Sequence, residues 1–208
     1  MYDEIICITN RKLCKNSFIE QVELIASSGV DKIILREKDM CEADYMSLAK
    51  QVIKISGKNG VECILHSHIN VAEQLGYKKI HLPLHTLQNH KEQLSDYDIL
   101  GVSVHSLTDA EEAIRCGAKY IIAGHIFQTE CKRDVPPRGV AFLNSICKET
   151  NMPVYAIGGI NIDNARLAMQ NGVVGVCLMS QFMKSVNPCD MVKQMRENLS
   201  SEPSTLLP

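Results

Sequence analysis

Two kinds of hydrophobic pattern alternate along the chain from its beginning to its end. Short runs rich in β-branched residues are apolar at almost every position, and each is followed by a longer segment in which apolar residues recur at helical spacing. Runs that are apolar throughout are typical of strands covered on both faces, as in a parallel sheet. The pattern predicts eight strands, at 5–9, 32–36, 62–65, 78–82, 99–104, 119–124, 153–158 and 174–179.

The segments between these strands predict eight helices, at 17–28, 42–57, 69–76, 87–94, 107–117, 140–150, 162–171 and 188–199. Individual residues also mark helix boundaries. Gly117 follows the fifth helix where a left-handed residue commonly ends a helix, and Gly29 and Gly172 follow the first and seventh helices in the same way. Thr108 and Glu111 have the spacing of a capping box near the start of the fifth helix.

Eight strands alternating with eight helices predict an α/β fold, and a parallel sheet of eight such units closes into a (β/α)8 TIM barrel. The chain has 208 residues, which leaves little room for insertions. We therefore expect a single barrel over residues 1–199, followed by a polar, proline-flanked tail, 200–208, that is frayed. An open doubly wound sheet is the alternative.

Composition narrows the class of protein. The formal net charge is −2, whereas a general nucleic-acid binder usually carries a basic stripe. The nine cysteines include no C-x-x-C pair and are interpreted as reduced thiols. No apolar run approaches the roughly 18 residues that a membrane helix needs, and the first ten residues resemble a strand rather than a signal peptide. We expect a cytoplasmic protein that binds neither nucleic acid nor membrane.

In a barrel of this kind the active site lies at the C-terminal ends of the strands. Gly158 and Gly159 follow the seventh strand, and Ser180 follows the eighth. Because glycines let backbone N–H groups approach an anion, and because these two loops commonly hold phosphate, the three residues predict a phosphate site. Arg36 and Lys38 follow the second strand directly, so we expect at least one cation to face a ligand.

Four histidines fall near the ends of neighbouring strands three to six: His66, His81, His105 and His125. A ring of imidazoles can bind zinc, but no carboxylate accompanies them at equivalent positions, and we expect no metal. The first three are interpreted as core or rim residues. His125 opens a long loop, 125–139, and histidine is well suited to proton transfer near neutral pH.

Five segments together resemble the thiamine phosphate synthase superfamily over nearly the whole chain: IILREK (33–38), GVSVHS (101–106), the loop 124–139, AIGGI (156–160) and GVCLMS (175–180). The resemblance implies a barrel enzyme that acts on a small phosphorylated substrate.

The superfamily has two main branches. The synthases resemble one another in an Asn-Asp pair after strand three and an Asp after strand four, which hold magnesium and pyrophosphate. This chain has His66, Ser67 and Thr86 there, and Mg²⁺ prefers carboxylate and phosphate oxygens. The loop from Gly124 to Gly139 instead resembles that of the TenI-like thiazole tautomerases, in which the acid/base histidine corresponds to His125.

The resemblance therefore implies an isomerase that aromatises a carboxythiazole phosphate in thiamine biosynthesis, without a cofactor. Its phosphate contacts correspond to the Gly-Gly pair and Ser180. We expect Arg36 or Lys132 to pair with the substrate carboxylate, and Lys38 and Ser103 to contribute to substrate binding. The alternatives are a thiamine phosphate synthase, a transferase, and a non-catalytic regulator that binds a phosphorylated ligand.

Two further expectations concern the surface and the assembly. Cys131 precedes Lys132, whose charge favours a thiolate, although an inert loop cysteine is the simpler interpretation. Barrels of this size often form homodimers or higher homo-oligomers, but the sequence contains no apolar stripe that would locate the interface.

Overall fold

A computed structural model describes residues 3–201 of the chain. Its eight strands form one closed barrel in which sequence neighbours pair in parallel and β8 pairs with β1. This confirms the predicted (β/α)8 TIM barrel and rules out the open doubly wound sheet. The strands are β1 Glu4–Ile8, β2 Lys32–Leu35, β3 Glu62–His66, β4 Lys79–Pro83, β5 Ile99–Val104, β6 Tyr120–Gly124, β7 Val154–Ile157 and β8 Gly175–Leu178.

The helices of the described segment are α1 Phe18–Ala26, α2 Glu42–Lys58, α3 Ile69–Gln74, α4 Leu84–His90, α5 Leu107–Arg115, α6 Gly139–Glu149, α7 Ile162–Met169, α8 Ser180–Lys184 and α9 Pro188–Ser200. The eight predicted helices are present, and the short helix α8 is additional. α4 begins three residues earlier than predicted because Pro83 ends β4 and is itself the N-cap. Of the predicted tail, residues 202–208 lie outside the described residues.

The predicted capping box at α5 is wrong. The N-cap is Ser106, whose side chain accepts a hydrogen bond from the backbone N of Asp109 at 3.0 Å. Ser106 has the extended backbone of an N-cap and follows β5 closely, so the helix begins before Thr108. The predicted end is confirmed, since Gly117 has a φ of 83° directly after the C-cap Cys116.

Alternate residues of each strand supply two separate apolar layers. Ile5 and Cys7 of β1 pack outward against the helices, whereas Ile6 and Ile8 point into the barrel. The interior layer is closed by residues from most of the strands, which are Ile6, Ile8, Ile34, Ile64, Tyr120, Ile122, Tyr155 and Cys177. The barrel is therefore a packed core rather than a pore.

Polar and aromatic side chains close the N-terminal end of the barrel. The Glu4 carboxylate pairs with Lys32 and accepts a hydrogen bond from the Tyr155 hydroxyl at 2.6 Å. The ring of Tyr120 lies edge-on to that of Tyr155, with centroids 5.5 Å apart, and occupies the space beside Gly101. This packing leaves the opposite, C-terminal end of the strands for a binding site.

No helix between residues 3 and 201 is long and apolar enough to cross a membrane.

Candidate active site

A cleft of about 910 Å³ opens at the C-terminal ends of the strands. The structure brings all eight residues predicted from the sequence to this one cleft, and they come from five different strand exits. They are Arg36 and Lys38 after β2, Ser103 in β5, His125 and Lys132 after β6, Gly158 and Gly159 after β7, and Ser180 at the start of α8. Their places are therefore known, whereas their roles remain predictions.

His125 is almost completely buried, with 4% of its surface exposed, and it lines the cleft. Its Nε2 lies 3.2 Å from the carbonyl oxygen of Val135. A carbonyl oxygen only accepts hydrogen bonds, so Nε2 carries the hydrogen and Nδ1 has the free lone pair. The imidazole is thus held in one tautomer with a nitrogen available to take up a proton.

The loop that begins at His125 is anchored at its base. The backbone N of Ile126 donates to Ile157 O and that of Phe127 to Gly158 O, both at 2.9 Å, so the first residues pair with the exit of β7. The other end returns to the same place, since Arg138 N donates to His125 O at 3.0 Å. The base of the loop is therefore fixed, whereas residues 130–138 are exposed, and Glu130, Cys131 and Lys132 of this segment line the cleft.

Three cations gather on one side of the cleft: Arg36, Lys38 and Lys132. Burial lowers the pKa of Lys38 from its ordinary value, and the positive charges of Arg36 and Lys132 lower it further. The charges of Arg36 and Lys132 therefore act against the charge of Lys38. An anion placed between them would relieve that repulsion.

Glu37, which stands between Arg36 and Lys38 in the sequence, does not neutralise this cluster. Its side chain is buried and turned the other way, where it accepts hydrogen bonds from Thr9 Oγ1 at 2.7 Å and from the backbone and guanidinium of Arg11. The Thr9 hydroxyl also accepts a hydrogen bond from Arg36 N at 2.9 Å. Glu37 therefore ties the exits of β1 and β2 together and leaves the cations free for a ligand.

The floor of the cleft contains two neutral histidines. His81 is fully buried and lies between the Tyr120 hydroxyl, 3.0 Å from Nδ1, and Ser103 Oγ, 2.8 Å from Nε2. Burial lowers the pKa of His81 to about 3, assisted by the charges of Lys38 and Arg36. Burial also holds the pKa of His66 well below its ordinary value, and the charges of His81 and Arg36 lower it further. The interpretation of these two as core residues is confirmed.

The exits of β3 and β4 present no carboxylate to a metal. His66 Nδ1 and Ser67 Oγ are 2.7 Å apart, and Ser67 has a left-handed backbone with a φ of 66°. Thr86 lies in α4. A donor set of imidazole and hydroxyls does not suit Mg²⁺, and between residues 3 and 201 no group of three or more His, Cys, Asp or Glu side chains could hold a metal ion.

The predicted phosphate residues follow two neighbouring strands, β7 and β8. Gly158 and Gly159 both have positive φ angles, 94° and 68°. Ser180 is the first residue of α8, whose N-terminus has no side-chain cap, and Gln181 donates to Ile160 O at 3.0 Å, which ties α8 to the exit of β7. The two loops thus form one continuous wall.

Sequence reasoning missed two features of the site. The Tyr120 hydroxyl holds the ring of His81 from the barrel interior. The sequence contains a signal for this contact, because Tyr120 is an inward-facing residue of β6 and Gly101, on the neighbouring strand β5, leaves space for its ring. His105, interpreted as a rim residue, is exposed and lines the cleft beside His125. Cys131 also lies at the cleft and is exposed.

Comparison with known proteins places the chain among similar enzymes. A family model described as thiamine monophosphate synthase matches residues 5–182. The chain is 30% identical to the putative thiamine-phosphate synthase 2 of Aquifex aeolicus, over 85% of this chain and 96% of that protein. It is 32% identical to the thiamine-phosphate synthase 2 of Streptococcus pneumoniae, over 86% of each.

A solved structure is similar over the same range. It is the thiamine phosphate pyrophosphorylase of Pyrococcus furiosus, with a TM-score of 0.83 and 27% identity, covering 94% of this chain and 95% of that one.

Proposed function

Since the chain belongs to the thiamine monophosphate synthase family, and is thereby an enzyme of thiamine biosynthesis, we propose that it acts there as a thiazole tautomerase. Its substrate would be a non-aromatic carboxythiazole phosphate with an exocyclic double bond. The reaction moves one proton and makes the ring aromatic. It needs no cofactor, because aromatisation itself favours the product.

One observation carries this proposal. The exit of β6 presents a buried histidine, His125, whose Nε2 donates to the Val135 carbonyl and whose Nδ1 is free, in a cleft that is also lined by three cations and by Gly158 and Gly159. A proton shift requires a base that is held in position with one nitrogen free to accept a proton, and the His125 imidazole meets both conditions.

The anionic groups of the substrate fit the two sides of the cleft. The phosphate would lie against Gly158, Gly159 and Ser180, where backbone N–H groups and the uncapped start of α8 favour an anion. The carboxylate would then face Arg36 and Lys132, whose mutual repulsion with Lys38 it would relieve. Held at both ends, the ring would present its reacting carbons to the middle of the cleft.

His125 would take the proton from the ring carbon that bears the carboxylate. The C–H electron pair forms a new ring double bond, the existing ring double bond shifts toward the carbon that carries the exocyclic double bond, and the electrons of the exocyclic double bond take up the proton that His125 returns, which forms the new C–H bond. The Val135 carbonyl would stabilise the imidazolium by keeping its hydrogen bond to Nε2. The bonds balance without an added oxidant or reductant.

The test is conversion of freshly generated non-aromatic thiazole phosphate, followed by the absorbance of the aromatic product without added metal. The His125→Gln variant keeps a donor for Val135 O but cannot take up a proton. We expect rapid conversion by the wild type and a loss of roughly 10²–10⁴-fold in the variant. A wild type that does not accelerate the reaction would overturn the assignment.

A second candidate is thiamine-phosphate synthase activity, and the names of the relatives favour it. The cluster of Arg36, Lys38 and Lys132 also suits a pyrophosphate. Against it stands the donor set at the exits of β3 and β4, where His66, Ser67 and Thr86 offer no carboxylate to magnesium. Condensation of the pyrimidine pyrophosphate with the thiazole phosphate, measured with magnesium present, separates the two functions.

If the phosphate ligand binds and neither reaction is accelerated, the chain is a non-catalytic ligand binder. We further propose that it works as a homodimer or higher homo-oligomer, which sedimentation measurements would establish.

A further inference from the structure

A second histidine stands beside the proposed base. His105 directly follows β5, and the pairing of Val104 with Ala123 places it next to Gly124, the residue before His125. Its backbone N donates to Asp109 Oδ2 at 2.7 Å, which fixes the main chain at this point. The ring lines the same cleft but is exposed, unlike that of His125.

The ring of His105 is also held in one tautomer. Its Nδ1 lies 2.6 Å from the carbonyl oxygen of Gly124, which can only accept, so Nδ1 carries the hydrogen. The free lone pair is then on Nε2. His125 has the complementary arrangement, with Nε2 donating to Val135 O and Nδ1 free.

Two neighbouring imidazoles, each with one nitrogen occupied by a backbone carbonyl, therefore line one cleft. A core histidine needs only that its polar atoms be satisfied, which His81 achieves through Tyr120 on Nδ1 and Ser103 on Nε2. His105 differs from His81 because its Nε2 has no such partner within residues 3–201, and it differs from the buried His66 because it is exposed and adjoins Gly124, the residue before the proposed base.

We infer that His105 is a second acid/base group, so that two histidines rather than one carry out the proton shift. The inference rests on the proposed tautomerase function. His125, buried with its Nδ1 free, removes the proton, and His105, which is exposed to water, supplies a proton to the exocyclic carbon.

The protons balance in this scheme. The substrate proton is transferred to His125 Nδ1 as its C–H electrons enter the ring. His105 enters the cycle as the imidazolium, with a proton taken from water on Nε2, and that proton goes to the exocyclic carbon, whose double-bond electrons form the new bond. After turnover His125 is charged and His105 neutral, and the pair is reset when one releases a proton to water and the other takes one up.

The test uses His105→Asn, whose side-chain amide can still donate to Gly124 O but cannot transfer a proton. The substrate carries deuterium at the ring carbon that loses its proton, and the reaction is run in ordinary water. Three quantities are followed for the wild type and the variant: kcat, KM, and the deuterium content of the product's exocyclic carbon. Retention of the melting temperature shows that the variant is folded, and His105→Gln replaces it if it is not.

We expect His105→Asn to lower kcat by roughly 10²-fold or more with KM little changed, and the wild-type product to contain only solvent hydrogen at the exocyclic carbon. Unchanged kcat in the folded variant, or deuterium transfer by the wild type, would overturn the two-histidine scheme while leaving the tautomerase standing. A wild type without any tautomerase activity overturns both.

Discussion

A Cβ placed on Gly158 would fall 2.2 Å from the Cβ of His125 and 2.7 Å from its Cα. The exit of β7 therefore packs directly against the backbone of the proposed base, and only a glycine allows this approach. Gly158 was predicted as a phosphate contact. Its lack of a side chain also allows the His125 backbone to pack against it, so glycine is required here independently of phosphate binding.

Replacing Gly158 by alanine should therefore displace His125. The added methyl meets backbone-attached atoms, and the φ of 94° is strained for any other residue. We expect a loss of about 1–3 kcal/mol in the free energy of unfolding, together with a fall in kcat. Gly117→Ala is the matched control, because Gly117 has a φ of 83° but open space around its Cβ position. Equal losses of kcat in both variants would contradict this explanation.

The buried histidines predict how stability changes with pH. The pKa of His81 is lowered to about 3 in the folded chain, mainly by burial, against about 6.5 in an unfolded chain. The unfolded chain then binds the additional proton between these values, so stability is fully present above pH 6.5 and falls as the pH drops toward 3. The slope should approach about 1.4 kcal/mol per pH unit for each such histidine.

Denaturant unfolding from pH 7 to pH 4 measures that slope, and His81→Gln should make it shallower. Replacement of the exposed His90 on α4 is the control and should leave the slope unchanged. A slope in His81→Gln equal to that of the wild type would show that another group accounts for it.

The cation cluster predicts stabilisation by anions. Arg36, Lys38 and Lys132 repel one another in the free protein, so pyrophosphate should raise the melting temperature. At 100 times its Kd the ligand would add about 2.7 kcal/mol. Lys132→Gln should reduce this gain and raise the pKa of Lys38, since one of the charges that lower it is removed. Lys148→Gln, exposed on α6, should behave like the wild type.

Substitution of Glu37 should lower the stability of the chain and weaken ligand binding, although Glu37 itself faces away from the cleft. Its buried carboxylate accepts from Thr9 and Arg11, so Glu37→Gln should destabilise the chain by about 1–3 kcal/mol and raise KM by loosening the segment that carries Arg36 and Lys38. Asp39→Asn removes an exposed partner of the same Arg11 and should leave the free energy of unfolding almost unchanged, because solvent screens an exposed ion pair. Thermal unfolding and initial rates distinguish the two.

Much of the fold could be predicted because the apolar runs of the strands differ clearly from the helical spacing of apolar residues, and the pair of patterns recurs eight times along the chain. The order of the strands then placed Arg36, His125 and Ser180 at one end of the barrel, since parallel strands end together. That prediction needed no side-chain detail, and the structure confirms their common cleft.

What the sequence could not predict depends on contacts between distant segments. The tautomers of His105 and His125 are set by carbonyl groups of Gly124 and Val135, whose positions follow from the path of a loop. The direction of Glu37 is likewise decided by Arg11 on another strand exit. The predicted start of α5 at residue 107 is correct, but the capping residue was assigned to Thr108 because Ser106 and Thr108 are both acceptable N-caps, and only the course of the chain after β5 selects between them.

The closed floor of the barrel has a consequence for turnover. Glu4, Lys32 and the edge-to-face pair Tyr120 and Tyr155 fill the N-terminal end, so within residues 3–201 the cleft opens at the C-terminal ends of the strands alone. Substrate arrives and product departs through the same opening beneath the loop that carries Lys132. Each product molecule must therefore clear the entrance before the next substrate can bind, and an aromatic phosphate that lingers there would act as a competitive inhibitor of its own formation.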